Sequence, residues 1–279
     1  MRYDLVGTTA ELTIDNPPVN VLSADVLESL ISAVGRAAED PGARVVVIRG
    51  ASEKAFAAGA NIREMRELTI EQAHAHAERG QRMTTTIEDL PLPVIAAVHG
   101  SCFGGGTELA LACDFIVASE DAMFGQPEVN LGVMPGWGGT VRLPGRIGPA
   151  AARRWILLGG PVTAMAARGQ GLVDQVVPRD RLVPAARELA GDLAKKSSTA
   201  LAAAKYALNH ALDPARAGDL LYERRIWAEL FGTPDQREGM RAFLEKRAFV
   251  PSGREGWDEV SRGFPWARTR TERKGKTEE

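Results

Sequence analysis

The sequence predicts an α/β domain followed by a helical region. Before Pro149, β-branched runs typical of buried strands alternate with segments of helical period, and from Pro149 onward helical patterns dominate. Glycine-rich segments follow the strands, so we expect the loops at strand ends to carry the functional site. With 279 residues, of which 44% are hydrophobic, the chain can bury a large core without disulfides.

The N-terminal half shows the alternation of strands and helices most clearly. Side chains that alternate around Gly7 indicate a hairpin, and Ser23 is a favourable N-cap for a helix that ends at Asp40. The expected elements, in chain order, are a hairpin over 3–15, a helix from Ser23 to Asp40, a strand over 43–50, a helix over 70–89, a strand over 93–100, a glycine loop, a helix over 107–113 and a strand over 114–119.

Helices dominate the second half, apart from a short strand expected over 172–178. Three helices are predicted over 198–247 from apolar residues at helical spacing, namely Ile226, Trp227, Leu230, Phe231, Met240, Phe243 and Leu244. These apolar faces need a partner, which is either the chain's own core or another subunit. The final charged stretch, 267–279, is expected to be disordered because it lacks apolar residues beyond Ala267.

The composition argues against several classes of function. A formal net charge of −2 and a pI near 6.2 argue against nucleic acid as the main partner, because phosphate binding requires a basic surface. Cys102 and Cys113 are too few for a disulfide framework, and neither they nor the four histidines show metal-ligand spacing. We therefore expect reduced thiols, a cytosolic location and no metal or redox cofactor. The sequence shows neither a signal peptide nor the roughly 20 apolar residues of a membrane span, so we expect no membrane partner.

Two segments rich in small residues, 56–65 and 100–114, are the strongest functional signal. In each, a backbone N–H could point at one oxygen, which would stabilise a carbonyl that gains negative charge during reaction. The run Gly104–Gly106 lies between a predicted strand and a predicted helix, but it fits neither G-x-G-x-x-G nor G-x-x-x-x-G-K-[ST]. A nucleotide site is therefore disfavoured, and we predict a single N–H donor at the start of a helix, where the helix dipole adds positive potential.

Two glutamates accompany these segments. Glu108 falls in the first turn of the predicted helix, and Glu128 follows Pro127 ahead of two glycine-rich turns. Either could present a catalytic carboxylate to a cleft. Equally, Glu108 could be an ordinary first-turn glutamate stabilised by the helix dipole, and Glu128 could be an exposed loop residue. The residues by themselves leave these alternatives open.

Six strings occur along the chain in a fixed order: NPPVNVLS, KAFAAGANIREM, PVIAAVHGSCFGGGTELALACD, FGQPEVNLGVMPGWGGT, TAMAARGQGLVDQVV and GMRAFLEKR. Together they resemble the enoyl-CoA hydratase/isomerase (crotonase) superfamily over roughly residues 3–250. The resemblance implies a spiral core of repeated ββα units over 1–196 that holds an acyl-CoA site. It also implies a helical region over 197–250 that forms a homotrimer, often a dimer of trimers, whereas the extension 251–279 exceeds the resemblance.

The resemblance assigns roles to both glutamates and to two backbone donors. It implies oxyanion-hole N–H groups at Ala60 and Gly105, a water-activating role for Glu108, and proton delivery to the α-carbon by Glu128. Members that only isomerise double bonds generally keep a single carboxylate near the Glu128 position. The pair therefore favours hydration of a trans-2-enoyl-CoA. The alternatives are isomerisation or carbon–carbon cleavage on the same scaffold, and a non-catalytic CoA-binding protein.

Further positions would bind substrate if the resemblance holds. The backbone around Ala57 and Ala58 would meet the adenine and pantetheine portions of CoA, and Lys246 would approach the 3′-phosphate. Met65 and Trp137 would line the acyl pocket, where the indole would shorten or reshape it. A solvated charge at Lys246 and a plain packing role for Trp137 are the alternatives. The CoA thioester is the substrate, so no cofactor is expected.

Overall fold

A computed structural model of the chain describes residues 1–196, 198–212, 224, 227–228 and 230–249. The expectations for Ile226 and for the extension 251–279 lie outside these residues. The strands are β1 (Arg2–Val6), β2 (Thr9–Ile14), β3 (Val45–Gly50), β4 (Ala55–Ala57), β5 (Val94–Val98), β6 (Ser101–Phe103), β7 (Phe115–Ser119), β8 (Met123–Gly125), β9 (Val162–Thr163) and β10 (Gln175–Val177).

The helices follow the strands in the order expected of an α/β chain. They are α1 (Ala24–Glu39), α2 (Ile62–Met65), α3 (Ile70–Asp89), α4 (Gly105–Leu111), α5 (Gly139–Leu158), α6 (Ala164–Gly169), α7 (Leu182–Ala194), α8 (Ser198–Leu212) and α9 (Pro234–Leu244), with 3₁₀ turns at Pro127–Leu131, Arg179–Arg181 and Leu230–Gly232. The prediction of a helix over 70–89 is confirmed. Its N-terminus has a capping box, in which the Thr69 hydroxyl accepts from the Gln72 N–H and the Gln72 side chain accepts from the Thr69 N–H.

The strands form two sheets that the chain visits alternately. The first sheet has the order β1-β2-β3-β5-β7-β10, and the second has the order β4-β6-β8-β9. Three successive turns therefore run from the first sheet to the second and on to helical structure: β3 to β4, β5 to β6, and β7 to β8. Equivalent strands of successive turns pair in parallel. This arrangement confirms the expected spiral of ββα units.

Gly100 forms the bend between the two sheets in the second turn. Its φ is +52°, and a β-carbon there would overlap the carbonyl of Lys54, so only glycine fits. The predicted strand over 93–100 consequently ends at Val98, and β6 occupies part of the predicted glycine loop. The following helix begins at Gly105, two residues before the predicted start. Sequence periodicity predicted neither β6 nor the earlier start of the helix, because a three-residue strand has almost no periodic pattern.

Apolar side chains fill three regions. The largest lies between the two sheets, α1 and α3, and the second lies between the first sheet and α7. The third joins Trp227, Phe231 and Met240 to Met65 and to apolar residues of α3. The described part of the C-terminal helical region therefore packs on its own chain. The division into domains at 196/197 stays a prediction. No described helix has both the length and the apolar composition required to cross a membrane.

Candidate active site

The second sheet opens into a small cavity beside the glycine loop. Its volume is about 70 Å³. The wall is built from both segments rich in small residues, from the 3₁₀ turn Pro127–Leu131, from α3 and from the C-terminal region. The lining residues are Ala58, Gly59, Ala60, Ile62, Met65, His76, Phe103, Gly104, Gly105, Glu108, Pro127, Glu128, Leu131, Val133, Gly136, Trp137 and Trp227.

Two backbone N–H groups in this wall are unengaged. Within residues 1–196, neither the N–H of Ala60 nor that of Gly105 donates to an acceptor of the chain. The two segments approach closely: a β-carbon on Gly59 would stand 3.5 Å from the Gly105 nitrogen. Gly105 is buried and Ala60 is partly exposed, and both residues line the cavity, so a ligand in the cavity meets both.

Glycines make the start of α4 possible. Gly104 has φ +54° and ψ −123°, a conformation that strains other residues. Gly106 packs so tightly on β4 that a β-carbon would overlap the carbonyl of Ala57. The result is a helix N-terminus held against the second sheet. Gly105, the first residue of this helix, lines the cavity, so the positive end of the helix dipole lies beside the cavity.

Glu108 lies one turn into α4 and is only 2% exposed. Its Oε1 accepts hydrogen bonds from the backbone N–H groups of Trp137, at 2.7 Å, and Gly139, at 2.8 Å. Hydrogen bonds of this kind favour the ionised carboxylate and fix its direction. The carboxylate therefore belongs to the cavity wall and not to the protein surface, whereas its catalytic role stays a prediction.

Glu128 lies on the 3₁₀ turn and reaches the same cavity. A β-carbon on Gly104 would stand 2.9 Å from its Oε1, so the carboxylate lies directly against the glycine loop. Gln126 is fully buried beside it. With its amide nitrogen turned toward Glu128, Gln126 donates to Oε1 at 2.9 Å and to Oε2 at 3.1 Å. The fold thus brings Glu108, Glu128, Ala60 and Gly105 together.

Trp137 forms one wall and is 2% exposed. Its indole lies in a slot between two glycines, because a β-carbon on Gly80 or on Gly105 would overlap the ring. Arg142 and Thr84 both donate to the carbonyl of Trp137, at 2.9 Å and 3.0 Å. Trp137 therefore both packs and lines the site. Met65, at the end of α2, is also buried and lines the cavity.

The remaining predicted binding residues are spread more widely. Ala58 lines the cavity, whereas Ala57 is fully buried behind it and does not. Lys246 is exposed just beyond α9, outside the lining, and has φ +53°. The structure therefore brings Ala58 to the glutamates but not Ala57 or Lys246, whose predicted contacts with CoA stay predictions.

His76 is a lining residue that the sequence did not reveal. In the sequence it is one of four histidines that show no metal-ligand spacing. It is buried on the inner face of α3, and burial lowers its pKa to about 4, with the charge of Arg79 a smaller cause. Helical periodicity did place it on the opposite side from His74, but nothing in the sequence indicated which elements would cover that side.

Both cysteines lie in the described part of the chain, where they are not grouped with metal-ligating side chains. Cys102 and Cys113 are free and buried, and burial raises the pKa of both thiols. This agrees with the expectation of small buried residues. Among the residues the structure describes, no group of three or more His, Cys, Asp or Glu side chains is arranged to hold a metal ion.

Fold and cavity together define a class of protein: a ββα spiral with two carboxylates and two unengaged backbone donors around one small site. The chain belongs to the enoyl-CoA hydratase/isomerase family, whose sequence model matches residues 6–253. The match extends over the spiral and the described C-terminal helices, so the resemblance seen in the sequence is confirmed.

Relatives of known sequence or structure support this assignment. The chain is 43% identical over 241 residues to a probable enoyl-CoA hydratase of Mycobacterium tuberculosis, covering 85% of this chain and 91% of that protein. It is 39% identical over 239 residues to the crotonyl-CoA hydratase of Syntrophomonas wolfei, covering 85% and 92%. A crystal structure of an enoyl-CoA hydratase from Mycobacterium avium subsp. paratuberculosis superposes with a TM-score of 0.81 at 30% identity, covering 90% of this chain and 98% of that one.

Proposed function

We infer that the chain is an enoyl-CoA hydratase, a lyase that adds water reversibly across the 2,3 double bond of a trans-2-enoyl-CoA. The observation that carries this inference is that Glu108 and Glu128 line one cavity together with Ala60 and Gly105. The similar proteins support it, because they are named for hydration of enoyl-CoA or crotonyl-CoA. The acyl-CoA is substrate, and the proposed reaction requires no cofactor.

The proposed mechanism uses two hydrogen-bond donors, one base and one acid. The thioester oxygen accepts hydrogen bonds from the N–H groups of Ala60 and Gly105, which stabilise the enolate that forms during reaction. Removing one such donor typically costs about 2.7–4 kcal/mol. Glu108, oriented by its backbone donors, takes a proton from water as the water oxygen bonds to the β-carbon. Protonated Glu128 gives its proton to the α-carbon. Glu108 then releases to solvent the proton it took from water, and Glu128 takes one up, so that one water is added and both carboxyl groups return to their starting states.

The alternatives within the family use the same enolate. An isomerase moves a proton from one carbon to another and needs a single carboxylate near Glu128, and a carbon–carbon cleaving enzyme needs no water-activating base. The hydrogen bonds from Trp137 and Gly139 to Glu108 support hydration, since they hold a second carboxyl group at the wall of the cavity that Glu128 also lines. A non-catalytic CoA-binding protein would not require both Glu108 and Glu128.

The decisive assay follows the ultraviolet absorbance of the enoyl thioester. Crotonyl-CoA is tested first and longer acyl groups after it, and saturable loss of absorbance is expected. Absence of any loss at every acyl length would contradict the proposal. Glu108→Gln and Glu128→Gln are each expected to lower kcat by about 10²–10⁴-fold.

Glu120→Gln is the matched control, because Glu120 is exposed just after β7 and does not line the cavity. It should leave kcat unchanged. Full activity of Glu108→Gln in converting a 3-enoyl-CoA to a 2-enoyl-CoA, without hydration by either form, would favour the isomerase instead.

We also propose a homotrimer or a dimer of trimers, located in the cytosol, in which Lys246 approaches the CoA 3′-phosphate. Exposed apolar side chains support further association, namely Leu157 and Leu158 at the end of α5 and Phe243 on α9. Light scattering after gel filtration should give three or six times the chain mass of 29.9 kDa. A monomeric mass would contradict this assembly.

A further inference from the structure

His76 lies between two indoles at one side of the cavity. Its ring stacks on Trp227, with centroids 5.5 Å apart and planes 12° apart, and it is tilted against Trp137 at 5.6 Å. Trp137 in turn lies on Gly105, since a β-carbon there would overlap the indole. A thioester bound at the Gly105 N–H therefore has Trp137 beside its acyl chain and His76 next to Trp137.

The imidazole of His76 has an unused hydrogen-bonding atom. The residue is 6% exposed, and its Nε2 has no partner among the described residues. A buried polar atom without a partner lowers stability, so a ligand group that pairs with it gains affinity. The low pKa of about 4 keeps the ring neutral near pH 7. Neutral imidazole presents one donor and one acceptor nitrogen, depending on the tautomer.

The rest of the lining restricts which acyl group can reach His76. Its charged members are Glu108 and Glu128, and no lysine or arginine lines the cavity among the described residues. An acyl group with its own carboxylate would therefore meet the carboxylate of Glu108 without a cation in the lining to offset the repulsion. The volume of about 70 Å³ is far below the roughly 300–1,000 Å³ of ordinary ligand pockets. A short, uncharged acyl group fits both conditions.

We propose that His76 determines specificity for short 2-enoyl-CoA thioesters that carry a neutral hydroxyl group at the far end of the acyl chain. This inference rests on the proposed hydratase function and names its substrate class. The hydroxyl exchanges a hydrogen bond with Nε2, while the indoles of Trp137 and Trp227 contact the hydrocarbon part. A methyl group of the same size leaves Nε2 unpaired and is therefore the poorer substrate.

A matched pair of substrates tests the proposal. 4-Hydroxybut-2-enoyl-CoA and pent-2-enoyl-CoA have the same number of non-hydrogen atoms and differ only in a terminal hydroxyl or methyl group. We expect the full-length protein to prefer the hydroxyl compound about three- to tenfold in kcat/KM, the range that one neutral hydrogen bond supplies. His76→Phe should abolish or reverse this preference, and His76→Gln should restore part of it.

His74→Phe is the control, because His74 lies on the same helix outside the cavity lining. It should keep the preference of the unaltered protein. Calorimetric titration with the saturated analogues, 4-hydroxybutanoyl-CoA and pentanoyl-CoA, measures the same preference without turnover. The proposal is contradicted if the unaltered protein and His76→Phe prefer the hydroxyl compound equally, in kcat/KM or in Kd. Preference in Kd without any hydration would instead contradict the proposed function and leave the recognition by His76 supported.

Discussion

At the residue scale, Glu128 depends on Gln126 for its position. A hydrogen bond to a neutral carboxyl group is worth about 0.5–1.5 kcal/mol, so loss of the hydrogen bonds from Gln126 should weaken the hold on Glu128 beside the glycine loop. We predict that Gln126→Met lowers kcat by about 10- to 100-fold while KM changes little. Steady-state kinetics with crotonyl-CoA measures both constants.

Gln175→Met is the control for this change, because Gln175 is exposed on β10, away from the cavity. It should leave both constants unchanged. A Gln126→Met protein with normal kcat would show that the hydrogen bonds to Glu128 do not position it for reaction.

His76 should make stability depend on pH. Its pKa is about 4 in the folded protein and 6.5 in an unfolded chain, so below pH 6.5 the unfolded chain binds the extra proton. The folded state is therefore fully favoured above pH 6.5 and loses stability as pH falls toward 4. Between pH 7 and pH 5 the loss from this group is about 2 kcal/mol.

Urea unfolding at these two pH values measures the effect. His76→Phe should lose about 2 kcal/mol less than the unaltered protein over the interval, since it has no group to protonate at this position. Groups common to both proteins, such as His99, cancel in the comparison. An identical loss in the two proteins would show that the His76 imidazole remains accessible to protons in the fold.

These residues also show what the sequence could and could not predict about the site. Glu108 and Glu128 were identified as candidates because each is next to glycine-rich turns. The sequence could not show that they line the same cavity, because 19 residues separate them in the chain and only the fold brings them together. His76 was missed because a helical pattern indicates which side is buried, but not which distant residues, here Trp137 and Trp227, will contact it.

At the element scale, α4 and the second sheet require small residues where they meet. Gly106→Ala would place a methyl group against the Ala57 carbonyl, and overpacking of this kind costs about 1–3 kcal/mol. We predict a corresponding fall in the free energy of unfolding. Because the shift also moves the Gly105 N–H, kcat should fall as well.

Gly191→Ala is the matched control. Gly191 lies within α7, and a β-carbon there meets nothing within 4 Å. Alanine should therefore stabilise the protein by about 0.4–1 kcal/mol, chiefly by restricting the unfolded chain. Urea unfolding of both variants gives the two values. If Gly106→Ala proved as stable as Gly191→Ala, close contact between α4 and β4 would be excluded.

Strand β2 shows a limit of periodicity. Its alternation of apolar and polar residues predicted a strand, and the strand is present, but every residue in it is buried. The apolar side chains face the space between the sheets, whereas Glu11 faces α7 and pairs with Arg49 and Arg187. A period of two distinguishes the two faces of a strand without indicating that a helix covers the polar one.

At the scale of the whole molecule, the described C-terminal region completes the cavity. Trp227 stacks on His76 and packs against Phe231, with ring centroids 4.6 Å apart. We predict that Trp227→Ala lowers the free energy of unfolding by about 3–5 kcal/mol, as expected for loss of a buried aromatic side chain. The measurement is urea unfolding, at a protein concentration fixed across variants because of the proposed assembly.

The control is Met165→Ala, at a side chain that is 60% exposed on α6. It should change stability by no more than about 0.5 kcal/mol. A similarly small effect of Trp227→Ala would mean that the C-terminal region does not pack on the spiral in solution.

The spiral itself could be predicted from the sequence only in part. The long helix α3 and the β-branched strands of the first sheet have clear periodic patterns. The second sheet does not, since β4, β6 and β8 contain three residues each. Each of these strands pairs with the equivalent strand of a neighbouring turn of the spiral. Periodicity in one segment cannot show this, whereas the ordered family strings did.

The position of Trp227 has a consequence for the way the protein is made. During translation, the glycine loop, Glu108 and Glu128 leave the ribosome well before Trp227, which lines the same cavity, and before α9, which belongs to the same apolar cluster as Trp227. A nascent chain that has reached only the end of α7 thus has both carboxylates but an open, water-filled site. Enolate chemistry needs a dry pocket, so catalytic competence should appear only when synthesis is nearly complete.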